Sequence, residues 1–267
     1  MKITMEELLS IPHTGQRNLE GLRQAVFAGV SINSRTVNRG EIFIAIRGEK
    51  LDGHEFVAEA IAHGAVIAIV DSKSNVGENI PQIIVGDTAT ALGDLARLHR
   101  KRFGIPVIAV AGSNGKTTTK EMIAGVLATQ YRVLKTEGNL NNHIGVPLTM
   151  FRLDETHQAA VVEIGANHFG ELAALCSYLE PTHGLLTNVG REHLEFFGDA
   201  NGAAKAEGEV FGYLKSSGLG FVNIDDDLVV DQAKQITNKI TYGFRTGSDI
   251  RGEFESMDAR GCVKFSA

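Results

Sequence analysis

Short apolar runs bounded by turn-forming residues dominate the first third of the chain: EIFIAI (41–46), AVIAIV (65–70) and QIIVG (82–86). Their length and their β-branched content predict buried strands. Between them, FVAEAIAHG (56–64) has helical spacing and stops on a glycine. The opening MKITMEELLSIPH mixes charge with apolar positions, as a short amphipathic helix does. DTATALGDLARLHRKRFGIP (87–106) carries an apolar stripe at Ala91, Leu92, Leu95, Ala96 and Leu98. Asp87 can cap it and Gly104 to Pro106 end it, so it reads as a connecting helix.

The pattern then changes. Continuous apolar runs recur at VIAVAG (107–112), AAVVEIG (159–165), GLLTNVG (184–190), GFVNID (220–225) and KITYGF (239–244), with helical stretches between the earlier ones. Strands that are apolar on both faces and separated by helices predict a mainly parallel sheet flanked by helices. The last stretch, 249–267, alternates like a hairpin turning near Asp258–Gly261. The expected fold is α/β: a small N-terminal α/β domain over 1–86, then a central domain over 87–267.

A length of 267 residues suits about two domains. The composition is ordinary globular, with 43% hydrophobic and 22% charged residues. Net charge is −6, which gives no electrostatic footprint for nucleic acid. The two cysteines, Cys176 and Cys262, lack the spacing of a zinc site or disulfide framework and are expected as free thiols. No leader segment and no membrane-length apolar run is visible, so the expectation is a cytoplasmic protein without membrane insertion.

The strongest chemical signal follows the strand VIAVA. Gly112-Ser113-Asn114-Gly115-Lys116-Thr117-Thr118 is a glycine loop opening a helix. Such a P-loop turns backbone N–H groups and the helix dipole toward phosphate oxygens. Lys116 would reach the outer phosphates, and the Thr117 hydroxyl would ligate Mg²⁺. The generic motif places its first glycine where Val110 stands, a departure from pattern. Glu163 ends the strand AAVVE, where a metal-holding acid is needed, or is a solvated strand-end glutamate. His193, in GREHLEFFGD, follows another strand end and on its own reads as structural more often than functional.

Several stretches are more specific. AGSNGKTTT (111–119) resembles the shortened phosphate loop of the Mur ligase family, which accommodates Val110. SINSRTVNRGEIFIAIRGEKLDGHEFVAEAIAHGA (31–65), TEGNLNNHIGVPLT (136–149), VVEIGANHFGEL (161–172) and TNVGREHLEFFGD (187–199) follow in family order. The second and third favour the MurF-type branch, whereas the first is shared with MurE-type ligases.

The resemblance implies an ATP-dependent ligase of peptidoglycan synthesis, and hence of cell wall biogenesis, cell shape and cell division. It joins D-Ala-D-Ala to UDP-MurNAc-tripeptide through an acyl phosphate, with ATP and Mg²⁺, and is expected as a monomer. The implied roles are catalytic for Lys116, His193 and Glu207, and metal ligation for Thr117, Glu163 and His193. Residues 112–118 would hold ATP. The N-terminal domain would hold the UDP end through Ser31, Asn33, Ser34, Arg35, Arg47, Gly48, Asp52, Gly53 and His54. Asn33 replaces a more usual Asp. Thr136, Asn139 and Asn142 would line the muramoyl side.

Many family members carry a carbamylated lysine, and two registers are open for it here. One matches Lys205; the other, counted back from Phe211 and preferred, puts Glu207 there, supplying the carboxylate directly. The family's C-terminal Rossmann-like domain and its G-x-H-N-x-x-N-A element have no counterpart in the sequence, so this chain alone is not expected to ligate.

Other readings are a MurE-type enzyme, a folylpolyglutamate-synthase-like ligase, a P-loop kinase or GTPase, and a fragment that binds nucleotide without catalysis. The DGH element (52–54) argues against the folate enzyme, and the lack of an N-K-x-D element argues against a GTPase.

Overall fold

The computed structural model describes residues 1–74, 76–77, 79–190, 197–215 and 217–267. The chain divides into two compact units: residues 1–104 with 143–155, and residues 105–142 with 156–267.

In the first unit, strands β2 (Gly15–Arg17), β4 (Val30–Ser31), β5 (Ile42–Ile44), β6 (Ile67–Asp71) and β7 (Gln82–Val85) form a sheet in the order β2-β7-β6-β5-β4. Only β2 runs antiparallel. A separate pair, β1 (Ile3–Thr4) with β3 (Val26–Phe27), stands beside helix α1 (Met5–Ser10). Thr4 and Glu7 close a capping box on α1.

Strand alternation sorts the apolar residues of this sheet onto its two faces. Ile42, Ile44, Ile67, Ile69 and Ile83 pack with Met5 and Leu8 of α1 and with Ala91, Leu92 and Leu95 of α3 (Thr88–Arg100). Phe43, Ala68 and Val70 pack with Val57 and Ala60 of α2 (Val57–His63). Gly64 ends α2 at φ +125°, and a Cβ there would lie 2.9 Å from Arg39 Cα, so this stop requires glycine.

Where the sequence suggested a boundary after residue 86, the helix that follows packs on the first sheet. It is joined there by 143–155, which contains α5 (Gly145–Met150). Buried His99 in α3 lies 2.8 Å from the Leu153 carbonyl through Nε2.

The second unit is built on a seven-stranded sheet, all parallel, in the order β14-β13-β12-β11-β8-β10-β9. In chain order the strands are β8 (Val107–Ala111), β9 (Val133–Lys135), β10 (Ala159–Glu163), β11 (His183–Leu186), β12 (Leu219–Asn223), β13 (Asn238–Gly243) and β14 (Ile250–Arg251). From β8 the chain first goes out to the edge strand β9 and returns inward to β10, which pairs with β8. It then crosses to the other side with β11, so the switch point of the topology falls beside β8.

Helix α4 (Lys116–Leu127) covers one face through Ile123, Ala124 and Leu127 against Ile108, Val110, Val161 and Leu185. The opposite face carries α6 (Glu171–Leu179), α7 (Ala200–Glu207) and α8 (Glu209–Leu214), with α9 (Asp227–Gln232) beyond. Gly184 lets α8 close on β11, since a Cβ there would lie 2.6 Å from Leu214 Cδ1. The expected terminal hairpin is present as β15 (Glu253–Met257) and β16 (Val263–Ser266), turning at Asp258–Gly261. Among the described residues no helix is long and apolar enough to cross a membrane.

Ile69 is fully buried in the first sheet. Ile69→Ala should therefore lower the unfolding free energy of that unit by about 2–5 kcal/mol in denaturant titration. A change below about 1 kcal/mol would mean that this sheet is not the core of the unit.

Candidate functional site

Parallel strands all end at the same edge of their sheet, and the sequence-predicted phosphate loop lies at that edge. Val110, the residue that departs from the generic motif, is fully buried within β8, so the loop proper begins at Gly112. Gly112 has φ +118°, and a Cβ there would lie 2.2 Å from Thr187 Oγ1. Gly115 caps α4 at φ +80°. Both glycines are thus required by conformation, and Gly112 also by space.

The chain leaving β11 clamps this loop. Ser113 N–H donates to the Asn188 carbonyl (2.9 Å) and Asn114 N–H to Asn188 Oδ1 (3.1 Å). Thr187 Oγ1 donates to the Asn114 carbonyl (2.8 Å), and Gly190 N–H donates to Ser113 Oγ (2.7 Å). Glu207, buried on α7, accepts the Gly112 N–H at 2.8 Å, whereas Lys205 on the same helix is exposed. The structure therefore turns Glu207 to the loop and Lys205 to solvent.

Lys116 Nζ folds back onto the carbonyls of Gly112 (2.6 Å) and Ser113 (2.8 Å). The N–H groups of the first α4 turn have no acceptor within the helix and form the positive end of its dipole.

Register sets the acid. Glu163 of β10 is level with Val110 of β8, which brings its carboxylate beside the start of α4. Thr117 Oγ1 donates to Glu163 Oε2 (2.8 Å) and Asn141 Nδ2 to Oε1 (2.9 Å). Glu163 is 3% exposed, so it is not the solvated strand-end glutamate of the plainer reading.

Among the described residues no group of three or more His, Cys, Asp or Glu could hold a metal. A hydroxyl and one carboxylate nevertheless suit Mg²⁺, which keeps several waters and takes few protein oxygens besides phosphate. The P-loop amides and Lys116 likewise fit a polyphosphate. His193 lies outside the described residues.

Thr136 is fully buried. Its hydroxyl accepts the Glu163 N–H (3.0 Å) and its carbonyl accepts from Lys120 Nζ (2.8 Å), so it supports Glu163 from within the fold. Asn139 and Asn142 are exposed in the loop that follows. Sequence reasoning missed Asn141, Lys120, Thr187 and Asn188. The asparagine run GNLNN was the available signal for the first; nothing local marked the others.

The N-terminal residues separate into two groups. Asn33, Ser34, Arg35, Gly48 and Gly53 line one cleft of about 560 Å³, with Leu51 and Phe56 as apolar wall. The Arg35 side chain is exposed there, with no hydrogen-bond or ion-pair partner among the described residues. Arg47, Asp52, His54 and Ser31 instead brace it. Arg47 pairs with Asp52 (2.6 Å) and Asp71 (3.0 Å). Asp71 N–H donates to His54 Nε2 (2.9 Å), which leaves Nδ1 as the protonated nitrogen facing Asp52 Oδ1 at 2.6 Å. Both nitrogens of His54 are thus engaged inside the unit. Ser31 Oγ accepts from Asn33 N–H (3.2 Å).

Two family models match the chain. Residues 110–266 match the Mur ligase middle domain, and residues 26–112 match the Mur ligase family catalytic domain. Among curated relatives, the UDP-N-acetylmuramoyl-tripeptide--D-alanyl-D-alanine ligase of Bacillus subtilis (strain 168) is 40% identical over 89% of this chain and 52% of its own length. That of Escherichia coli (strain K12) is 41% identical over 74% and 43%. The chain spans about half the length of the curated relatives it matches.

Among solved structures, MurF from Acinetobacter baumannii superposes with a TM-score of 0.87 at 32% identity, covering 99% of this chain and 60% of that one. MurF ligase from Thermotoga maritima in complex with ADP gives 0.80 at 30% identity, covering 89% and 55%.

Asp71 makes the bracing network testable by pH. Burial alone would raise its pKa, but hydrogen bonds from Ser74 and Arg47 outweigh this and bring it from 3.8 to about 2. A depressed folded-state pKa contributes stability that is complete above about pH 4 and is lost as pH falls through about 2. Asp71→Asn should therefore flatten the acid side of the stability profile between those values. It should also cost roughly 1–3 kcal/mol at neutral pH, read from denaturant unfolding. An unchanged acid slope would dissociate the network from stability.

Proposed function

From the premise that this chain belongs to the Mur ligase family, we propose that it is the precursor-holding and ATP-holding part of a MurF-type ligase. The reaction joins D-Ala-D-Ala to UDP-MurNAc-tripeptide in the cytoplasm, where ATP and the nucleotide-linked precursor meet. The observation that carries the reading is the 2.8 Å contact of Thr117 with Glu163, beside a P-loop whose lysine is bound, among the described residues, to loop carbonyls.

The chemistry follows from charge. A peptide carboxylate attacking the terminal phosphoryl group of ATP approaches a polyanion, so repulsion must be neutralised before the oxygens can meet. Lys116 can exchange its two carbonyl acceptors for phosphate oxygens at little cost, because the loop already aims it. The N–H groups opening α4 hold the phosphates as fixed dipoles that need no reorganisation. Mg²⁺, held by Thr117 and Glu163, would neutralise charge on the transferred group.

ADP leaves as the carboxylate oxygen bonds to phosphorus. The amine of D-Ala-D-Ala then adds to the acyl carbon, gives up one N–H proton to phosphate or water, and the acyl C–O bond breaks to release inorganic phosphate. Glu207 takes the position of the carbamylated lysine of other members; its burial and its bond to Gly112 support this over Lys205. Thr136 acts through Glu163 rather than on substrate. The cleft at Asn33, Ser34 and Arg35 takes the uridine diphosphate end: Arg35 suits phosphate, Phe56 and Leu51 suit a base, and Asn33 supplies an amide in place of the usual acid.

Lys116→Ala should lower ATP affinity in calorimetry by roughly 10- to 150-fold, the worth of a lost charge-assisted contact, with no change in thermal unfolding. Equal affinity would remove the P-loop from nucleotide binding. Uridine diphosphate added to the labelled 267-residue chain should shift the amide resonances of Asn33, Ser34 and Arg35. Shifts confined to residues 112–118 would refute the assignment of the cleft.

A further inference from the structure

Lys120 lies one helical turn beyond Lys116 and is 1% exposed. A lysine this buried must find partners. Its Nζ donates to the Thr136 carbonyl (2.8 Å), pairs with Glu121 (3.1 Å), and stands 3.9 Å from Glu163 Oε2, the oxygen that also receives the Thr117 hydroxyl. Lys135 pairs with Glu121 from the outside.

Two ammonium groups therefore face two carboxylates, and the cluster is neutral as it stands. Lys116 and Glu207, each bound to the loop backbone, add one charge of either sign. Glu163 does not depend on Lys120 for its place, because Thr117, Asn141 and the Thr136 hydroxyl fix its carboxylate and backbone.

We infer that Lys120 is a resident cation that keeps a divalent metal ion out of the Thr117–Glu163 site until a nucleotide polyphosphate arrives with it. The inference rests on the proposed reading of 112–118 as a nucleotide site and adds a residue that sets the order of binding. The physical reason is local charge. A free divalent ion would bring two positive charges to the buried Glu163 carboxylate of an already neutral cluster, next to the buried Lys120 ammonium 3.9 Å away. A triphosphate supplies the missing negative charge, and metal and nucleotide enter together. Lys120 acts through Glu163 and touches neither phosphate nor substrate, so it is a positioning residue.

Mn²⁺ serves as the probe, since it accepts the oxygen ligands of Mg²⁺ and its free form is counted by electron paramagnetic resonance. Without nucleotide, the wild-type chain should bind Mn²⁺ more weakly than about 1 mM, the weak end of oxygen-ligand sites. Lys120→Met should bind it at least about tenfold more tightly, because a like charge 3.9 Å from the Glu163 carboxylate is gone. Lys120→Gln, which can still donate to Thr136, should do the same and guards against a Met variant that does not fold. Adding Glu163→Gln to either variant should abolish the gain.

A lysine serving only the fold would yield no gain in either neutral variant, and that result overturns the inference. So does tight Mn²⁺ binding by the wild-type chain without nucleotide. A parallel titration with ATP, read as Mn²⁺ retained with the protein in equilibrium dialysis because ATP itself binds Mn²⁺, separates the two readings. If the wild-type chain takes up no Mn²⁺ even with ATP, the nucleotide site itself is refuted. If it does, but the neutral variants gain nothing, only the role of Lys120 falls.

Discussion

The parallel pairing of β8 with β10 and β11 is the constraint on which the site depends. Parallel strands deliver all their carboxyl ends to one edge, and hydrogen-bond register fixes how far each reaches. Glu163 opposite Val110 and Leu186 opposite Ala111 bring an acid, a phosphate loop and the Thr187–Asn188 clamp to one level. A slip of one residue would turn Glu163 to the other face of the sheet and remove the Thr117 contact. The all-apolar strand interiors, Val107–Ala111 and Ala159–Val162, are what make this register costly to change, since both faces are buried.

Around that edge, the fold repeatedly uses one device: a buried polar side chain binds backbone of a distant segment. Glu207 holds Gly112, Thr136 holds Glu163 through its N–H, and Lys120 holds Thr136. Each tie satisfies a group that would otherwise be costly to bury, and each restricts the loop on which chemistry would occur. The first unit uses the same device once, where the buried ring of His54 accepts the Asp71 N–H; Arg47 and Asp52 complete that network by side-chain pairing beside the cleft lined by Asn33, Ser34 and Arg35. Residues that resemble a binding motif thus divide into those that face the cleft and those that hold it open. For His54 the division follows burial, because both of its ring nitrogens are engaged inside the protein and neither is left for a ligand.

Much of this was legible in the chain. The strand runs, the helix stop at Gly64 and the glycine loop before Lys116 all follow from local periodicity and backbone preference, whereas α3 ends at Arg100, short of the stop expected at Gly104 to Pro106. An acid at a strand end beside the loop was expected in the same way, since a P-loop needs one, and register brings Glu163 there. The choice between Lys205 and Glu207 was not legible. The two lie two positions apart on one helix, and such positions face different directions, so only the packing of α7 could decide which meets Gly112. The packing of α3 on the first sheet, with 143–155 joining it from far along the chain, was equally invisible to local pattern.

The sequence by itself determined the elements and the chemistry they could carry, because turn residues, alternation and glycine loops act over a few positions. Only the tertiary structure decided who meets whom. Lys120 resembles any helical lysine until β9 and β10 bury it beside Glu163, and Thr136 and His54 resemble ligand contacts until their polar atoms are seen to be engaged. Burial and long-range pairing depend on segments tens of residues apart, and no local pattern records them.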